Sequence, residues 1–87
     1  MHIIYLLIKK QDMKSLLESL ANWKHEGCAV VLAGDLEHRP DDGFIILSFD
    51  QPIPEDFRHK ADMDPRVIDH IGIHIVVTHA ITVQLEA

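Results

Sequence analysis

Cysteine is nearly missing from this chain. Cys28 stands alone among 87 residues, so no disulfide can form within the molecule and a disulfide-stapled scaffold is excluded. Basic residues are scarce as well: eight Lys and Arg face fourteen Asp and Glu, a formal charge of −6, and Lys9-Lys10 is the one adjacent basic pair. Nucleic-acid affinity rests largely on phosphate neutralisation by such residues, so neither nucleic acid nor an acidic membrane surface is an expected partner. Long apolar runs are lacking too. The opening run Ile3 to Ile8 is too short to span a bilayer and has neither the basic lead nor the small-residue cleavage site of a signal peptide. A cytoplasmic location is the expectation. Four glycines and four prolines leave no low-complexity tract, repeat or linker that would divide the chain, which reads as one domain over residues 1–87.

What is present suffices for a core. The chain is 47% hydrophobic and 25% charged, within the range of ordinary globular domains and far from the composition of disordered ones. A domain of this size buries only roughly 60% of its unfolded surface, so help from a partner is to be expected.

Periodicity supplies the elements. His2 to Ile8 is β-branched and aromatic at odd and even positions alike, which predicts a strand covered on both faces. Asp12 is a candidate N-cap, and Met13, Leu16, Leu17, Leu20 and Ala21 follow at the spacing of an amphipathic helix, with Gly27 as its stop. Cys28 to Ala33 reads as a second buried strand, Leu36 to Gly43 as a polar hairpin loop carrying Asp41-Asp42, and Phe44 to Phe49 as a third strand. Pro54-Glu55-Asp56 opens a short second helix presenting Phe57 and Ala61. Asp64-Pro65 reads as the start of one more helical turn, Arg66 to His70. Gly72 then releases the chain into a strand from Ile73, with an alternating strand extension over Ile81 to Glu86.

The order is that of a ferredoxin-like α+β domain, β-α-β-β-α-β with an antiparallel sheet. Two helices can cover one sheet face only, yet the first three strands are apolar on both. The uncovered apolar surface exceeds what a monomer usually leaves in water, and a face-to-face homodimer, a dimeric α+β barrel, is the expected assembly.

Candidate chemistry is thin. Asp64 can accept hydrogen bonds from the turn that begins at Pro65, or act as a general acid or base if its environment moves its pKa. His70, His74 and His79 fall close in sequence, but on one strand residues 70 and 74 would stand about 13 Å apart, far beyond the roughly 2.0–2.1 Å at which zinc binds each imidazole. No metal site and no cofactor are expected. By strand parity Ile73, Ile75 and Val77 would face the helices, placing His74 on the barrel interior as an acid–base group or a hydrogen-bonding one. Tyr5 would line the same interior. Arg39, Arg58 and Arg66 are each capable of bidentate carboxylate binding, and Arg66 stands beside Asp64. Trp23 continues the helical stripe as a packing residue. Cys28 reads as a small inert hydrophobe.

Two segments resemble the YCII-like family. Glu26 to Asp35, Glu-Gly-Cys-Ala-Val-Val-Leu-Ala-Gly-Asp, is similar to that family's helix end, second strand and "AGP" turn, with Asp35 where proline is usual. Ala61-Asp62-Met63-Asp64-Pro65-Arg66-Val67, with Gly72 beyond it, resembles the "ADxDPxV...G" segment that enters the last long strand. The resemblance implies the dimeric α+β barrel fold and a pocket using a helical histidine and an acidic residue on small organic acids or phenols. Asp64 matches the acidic position. The helical histidine has no counterpart, since its place falls near Leu16 and the neighbouring Leu17, Glu18 and Ser19 carry no imidazole, while His25 lies at the far end of the helix. The implied function is therefore cofactor-independent acid–base chemistry on a small organic substrate, with a non-enzymatic ligand-binding or dimerisation module as the alternative.

Overall fold

The computed structural model describes residues 1–23, 27–77 and 81–86. Strand β1 (His2–Lys9) passes through a 3-10 turn, Lys10–Asp12, into helix α1 (Met13–Trp23). Strands β2 (Cys28–Leu36) and β3 (Arg39–Phe49) follow, then helix α2 (Glu55–Met63) and strands β4 (Val67–Val77) and β5 (Ile81–Glu86). The strands form one five-stranded sheet in the order β2-β3-β1-β4-β5, antiparallel throughout. The fold is α+β, and β3 lies between β1 and β2, so the connection through α1 spans a strand.

One face of the sheet holds the core. Ile4, Leu6 and Ile8 of β1 and Ile45, Leu47 and Phe49 of β3 are buried with Leu16 of α1 and with Ile53, Phe57 and Ala61 at α2. Met13, Leu17, Leu20 and Trp23 pack around them, so the apolar stripe of α1 does what its spacing requires, apart from Ala21, which is exposed. The Phe57 ring is met edge-on by Trp23 and Phe49, at 5.4 and 5.0 Å between centroids. Gly27 sits at φ +71°, where side chains other than glycine are strained, and its carbonyl accepts from Asp50 N–H.

Several boundaries differ from expectation, each for a local reason. Asp12 does not cap α1 with its side chain; it closes the 3-10 turn, and its carbonyl accepts from Ser15 Oγ. The loop after β2 shrinks to Glu37-His38, because Arg39 to Asp42 extend β3 and Arg39 Nε binds Asp42 at 2.7 Å. No helical turn follows Pro65. Asp64 and Pro65 turn the chain and β4 starts at Val67, its N–H donating to the Asp64 carbonyl.

The reading of β2 as a buried strand is overturned: it is a sheet edge, with Val30, Val31 and Leu32 about half exposed. A register shift between Val30 and Leu32 leaves Val31 without an opposite residue on β3, a bulge of the sort that blunts edge-to-edge pairing. Nor is β1 covered on both faces, since Ile3, Tyr5 and Leu7 keep partial exposure while their even neighbours are sealed.

Candidate functional site

Asp64 and Arg66 meet at the entry to β4. Asp64 Oδ1 accepts from the Arg66 backbone N–H and from Nε, each at 2.9 Å, and Oδ2 accepts from Nη2 at 2.6 Å. The guanidinium also donates to Ser15 and Ser19 on α1, at 3.3 and 3.0 Å, so the pair ties the strand entry to the helix. The Arg66 hydrogen bonds hold the Asp64 carboxyl below its usual range, against an upward push from burial. A carboxylate pinned as the anion is a poor proton donor, and a guanidinium spent on Asp64 and two serines has little left for a ligand. Asp64 here does what the turn after it needs.

His74 lies on the other side of the sheet from its expected place. The register sets His74 opposite His2 and Gly72 opposite Ile4, and Ile4 faces the helices, so His74 does too. The residues on the open face are Ile71 and Ile73, opposite Tyr5 and Ile3. Both sets of alternating residues in β4 contain apolar side chains, and periodicity does not say which set meets the helices.

On that helix-side face His74 joins a polar cluster. Its ring stacks on His2, with centroids 4.2 Å apart and planes 10° from parallel. His2 Nδ1 lies 3.2 Å from Glu86 Oε1, and Arg58 Nη2 of α2 lies 3.8 Å from the same oxygen. Glu86 Oε2 is buried and has no hydrogen-bond partner among the described residues. Gly72 makes the arrangement possible, because a Cβ there would stand 2.9 Å from Arg58 Nη2 and 3.2 Å from Glu86 Cβ. His2, Arg58 and Glu86 each keep only about one-sixth of their side-chain surface. A carboxylate on one ring nitrogen of an imidazole fixes which nitrogen carries the proton, the geometry of a general base.

The predicted residues thus fall into separate places. Arg66 and His74 are eight residues apart along one chain direction, about 26 Å on an extended strand, and Tyr5 faces away from both on the open side, its ring parallel to that of Phe44 at 5.8 Å. Reasoning from sequence missed His2 and Glu86, and it named Arg58 only as one of three arginines able to bind a carboxylate, without the partner it has here. Glu86 in particular looked like the solvated half of an alternating tail, and only its register opposite Gly72 reveals otherwise.

Cys28 is half-buried in an apolar groove of 240 Å³ with Leu17, Leu20, Ala21, Val30, Leu47 and Phe57, and burial raises its thiol pKa. That thiol is held protonated and unreactive. A larger open hollow of 540 Å³ lies among Lys9, Lys10, Gln11, Pro40, Asp41 and Asp42 at a sheet end, and none of the predicted site residues lines it. Among the described residues no three His, Cys, Asp or Glu side chains converge as metal ligands, and no helix is long and apolar enough to cross a membrane. His25 and His79 lie outside the described residues. No protein-family model, no curated protein and no solved structure matches the chain.

Proposed function

We propose that the chain is a self-associating domain of ferredoxin-like topology, whose bare sheet face packs against a second copy to form a dimeric α+β barrel. The observation that carries this reading is the composition of that face. Tyr5, Ile46, Ile71, Ile73, Val83 and Leu85 share it by register, and Ile71, Val83 and Leu85 are 43%, 58% and 72% exposed. Five strands spaced about 4.8 Å apart with roughly eight residues each give a footprint of about 600 Å². The area is somewhat below the ~800 Å² per partner of a stable interface, and it stands at the upper end of the largest patches that monomers leave bare.

Light scattering coupled to size exclusion at about 10 µM, a concentration a specific dimer of this interface size should survive, tests the reading. The expected mass is twice the 9.9 kDa of one chain. A single species of one chain's mass sinks it.

A second reading, acid–base chemistry of the YCII-like kind on a small organic substrate without a cofactor, draws on the Ala61 to Val67 segment and on the pairing of His2 with Glu86 beside His74. The acid–base residues are then His2 and Glu86 rather than Asp64. Solvent deuterium exchange into small organic acids that stops in His2→Gln tests it; no exchange by the unaltered protein ends it. The lone free cysteine agrees with a reducing, cytoplasmic setting.

A further inference from the structure

We propose that β5 is a strap held on the sheet by charge, closed while Arg58 and His2 neutralise Glu86 and released when that neutralisation is lost. The inference concerns the single chain and rests on neither reading above. β5 is an edge strand with one neighbour, β4, and it brings little apolar surface to the core. Of its side chains that the structure describes, Val83, Gln84 and Leu85 are exposed and Glu86 alone is largely covered. The opposite edge is anchored differently, because Cys28 of β2 packs against the buried cluster. Burial of apolar area is what ordinarily holds an element against local opening. For β5 the holding falls to its backbone ladder and to Glu86.

That carboxylate is poorly housed. Its Oε1 has His2 Nδ1 at 3.2 Å and Arg58 Nη2 at 3.8 Å, the second beyond hydrogen-bond reach, and its Oε2 is buried with no hydrogen-bond partner among the described residues. A charge withdrawn from water and incompletely hydrogen-bonded costs free energy, which β5 recovers by swinging outward. The guanidinium that α2 delivers offsets that cost, and a buried ion pair that loses one member leaves the other strongly disfavoured. The strap therefore opens more readily than the rest of the sheet. On opening, β4 becomes the sheet edge with its backbone groups bare, His2 loses its carboxylate, and Glu86 vacates the space above Gly72.

Amide hydrogen exchange on Leu85→Glu tests the inference, because that charge lies on the sheet face opposite Glu86 and keeps a second copy from clamping the strand. In that background the β4–β5 amides exchange at least about tenfold faster than those of the β2–β3 edge, and equal or slower exchange overturns the strap. Arg58→Gln speeds β4–β5 exchange by about a further tenfold and leaves the β1–β3 ladder as it was. Adding Glu86→Gln to Arg58→Gln brings the rate back to within about threefold of its starting value, since no charge then needs a partner. No acceleration by Arg58→Gln, acceleration shared by every ladder, or a double variant as fast as the single one each overturns the proposal, because lost packing is not repaired by removing a second charge.

Discussion

Arg66 grips Asp64 through both carboxylate oxygens, Nε on Oδ1 at 2.9 Å and Nη2 on Oδ2 at 2.6 Å, while the same guanidinium reaches Ser15 and Ser19 on α1. The contact joins the start of β4 to a helix about fifty positions earlier in the chain, and it makes Asp64 a structural ion. Its folded pKa is lowered chiefly by the Arg66 side-chain hydrogen bonds. The stabilisation is therefore complete above the unfolded carboxyl value of about 3.9 and is lost as pH falls through the lower folded value.

Asp64→Asn should accordingly cost about 1.5–3 kcal/mol at pH 7, the range for a hydrogen bond to a charged group. The difference between variant and unaltered protein should shrink in strong acid, where both are uncharged at this position. Urea unfolding midpoints across the acid range measure it, and a pH-independent difference would assign the effect to packing.

Leu85→Glu places a charge on the open face without touching the core, because Leu85 is 72% exposed and lies opposite Ile73. The dimer should dissociate to a folded single chain, with far-ultraviolet circular dichroism unchanged. A dimer that persists after this substitution would show that the association uses another surface.

Phe57→Ala removes the ring that Trp23 and Phe49 both meet edge-on. Large-to-small substitution of a buried aromatic costs about 3–5 kcal/mol, a large share of the roughly 5–15 kcal/mol that holds a small domain folded. The thermal midpoint should drop steeply, and a fall of only a few degrees would place Phe57 outside the core.

Gly43→Ala adds a methyl that would stand 2.5 Å from Met13 Cε and 2.9 Å from the Gly34 carbonyl oxygen. Met13 can swing aside, but the β2 backbone cannot without disturbing the hairpin ladder. A loss of about 1–3 kcal/mol is expected, in keeping with overpacked sites. Chemical denaturation checks it, and hydrogen exchange should show the loosening concentrated in the β2–β3 ladder.

The sequence by itself determined both helices and the centres of the strands, because 3.6-residue and two-residue apolar spacings are local properties that need no knowledge of neighbours; Arg39 to Asp42 and Val67 to His70, read as loop and helical turn, became strand only through pairing in the sheet. Met13, Leu16, Leu17 and Leu20 marked α1 and its buried stripe, Phe57 and Ala61 marked the inward face of α2, and Gly27 marked the turn where φ becomes positive. Only the tertiary structure decided which face of β4 meets the helices, since Ile71, Ile73 and Ile75 alternate with positions that a core could equally accept until β1 sets the register. That one choice moved His74 onto His2, brought Glu86 and Arg58 beside them, and left Tyr5 and Asp69 on the bare face. Long-range strand pairing reads side chains scores of residues apart, and alternation along a single strand carries no record of it.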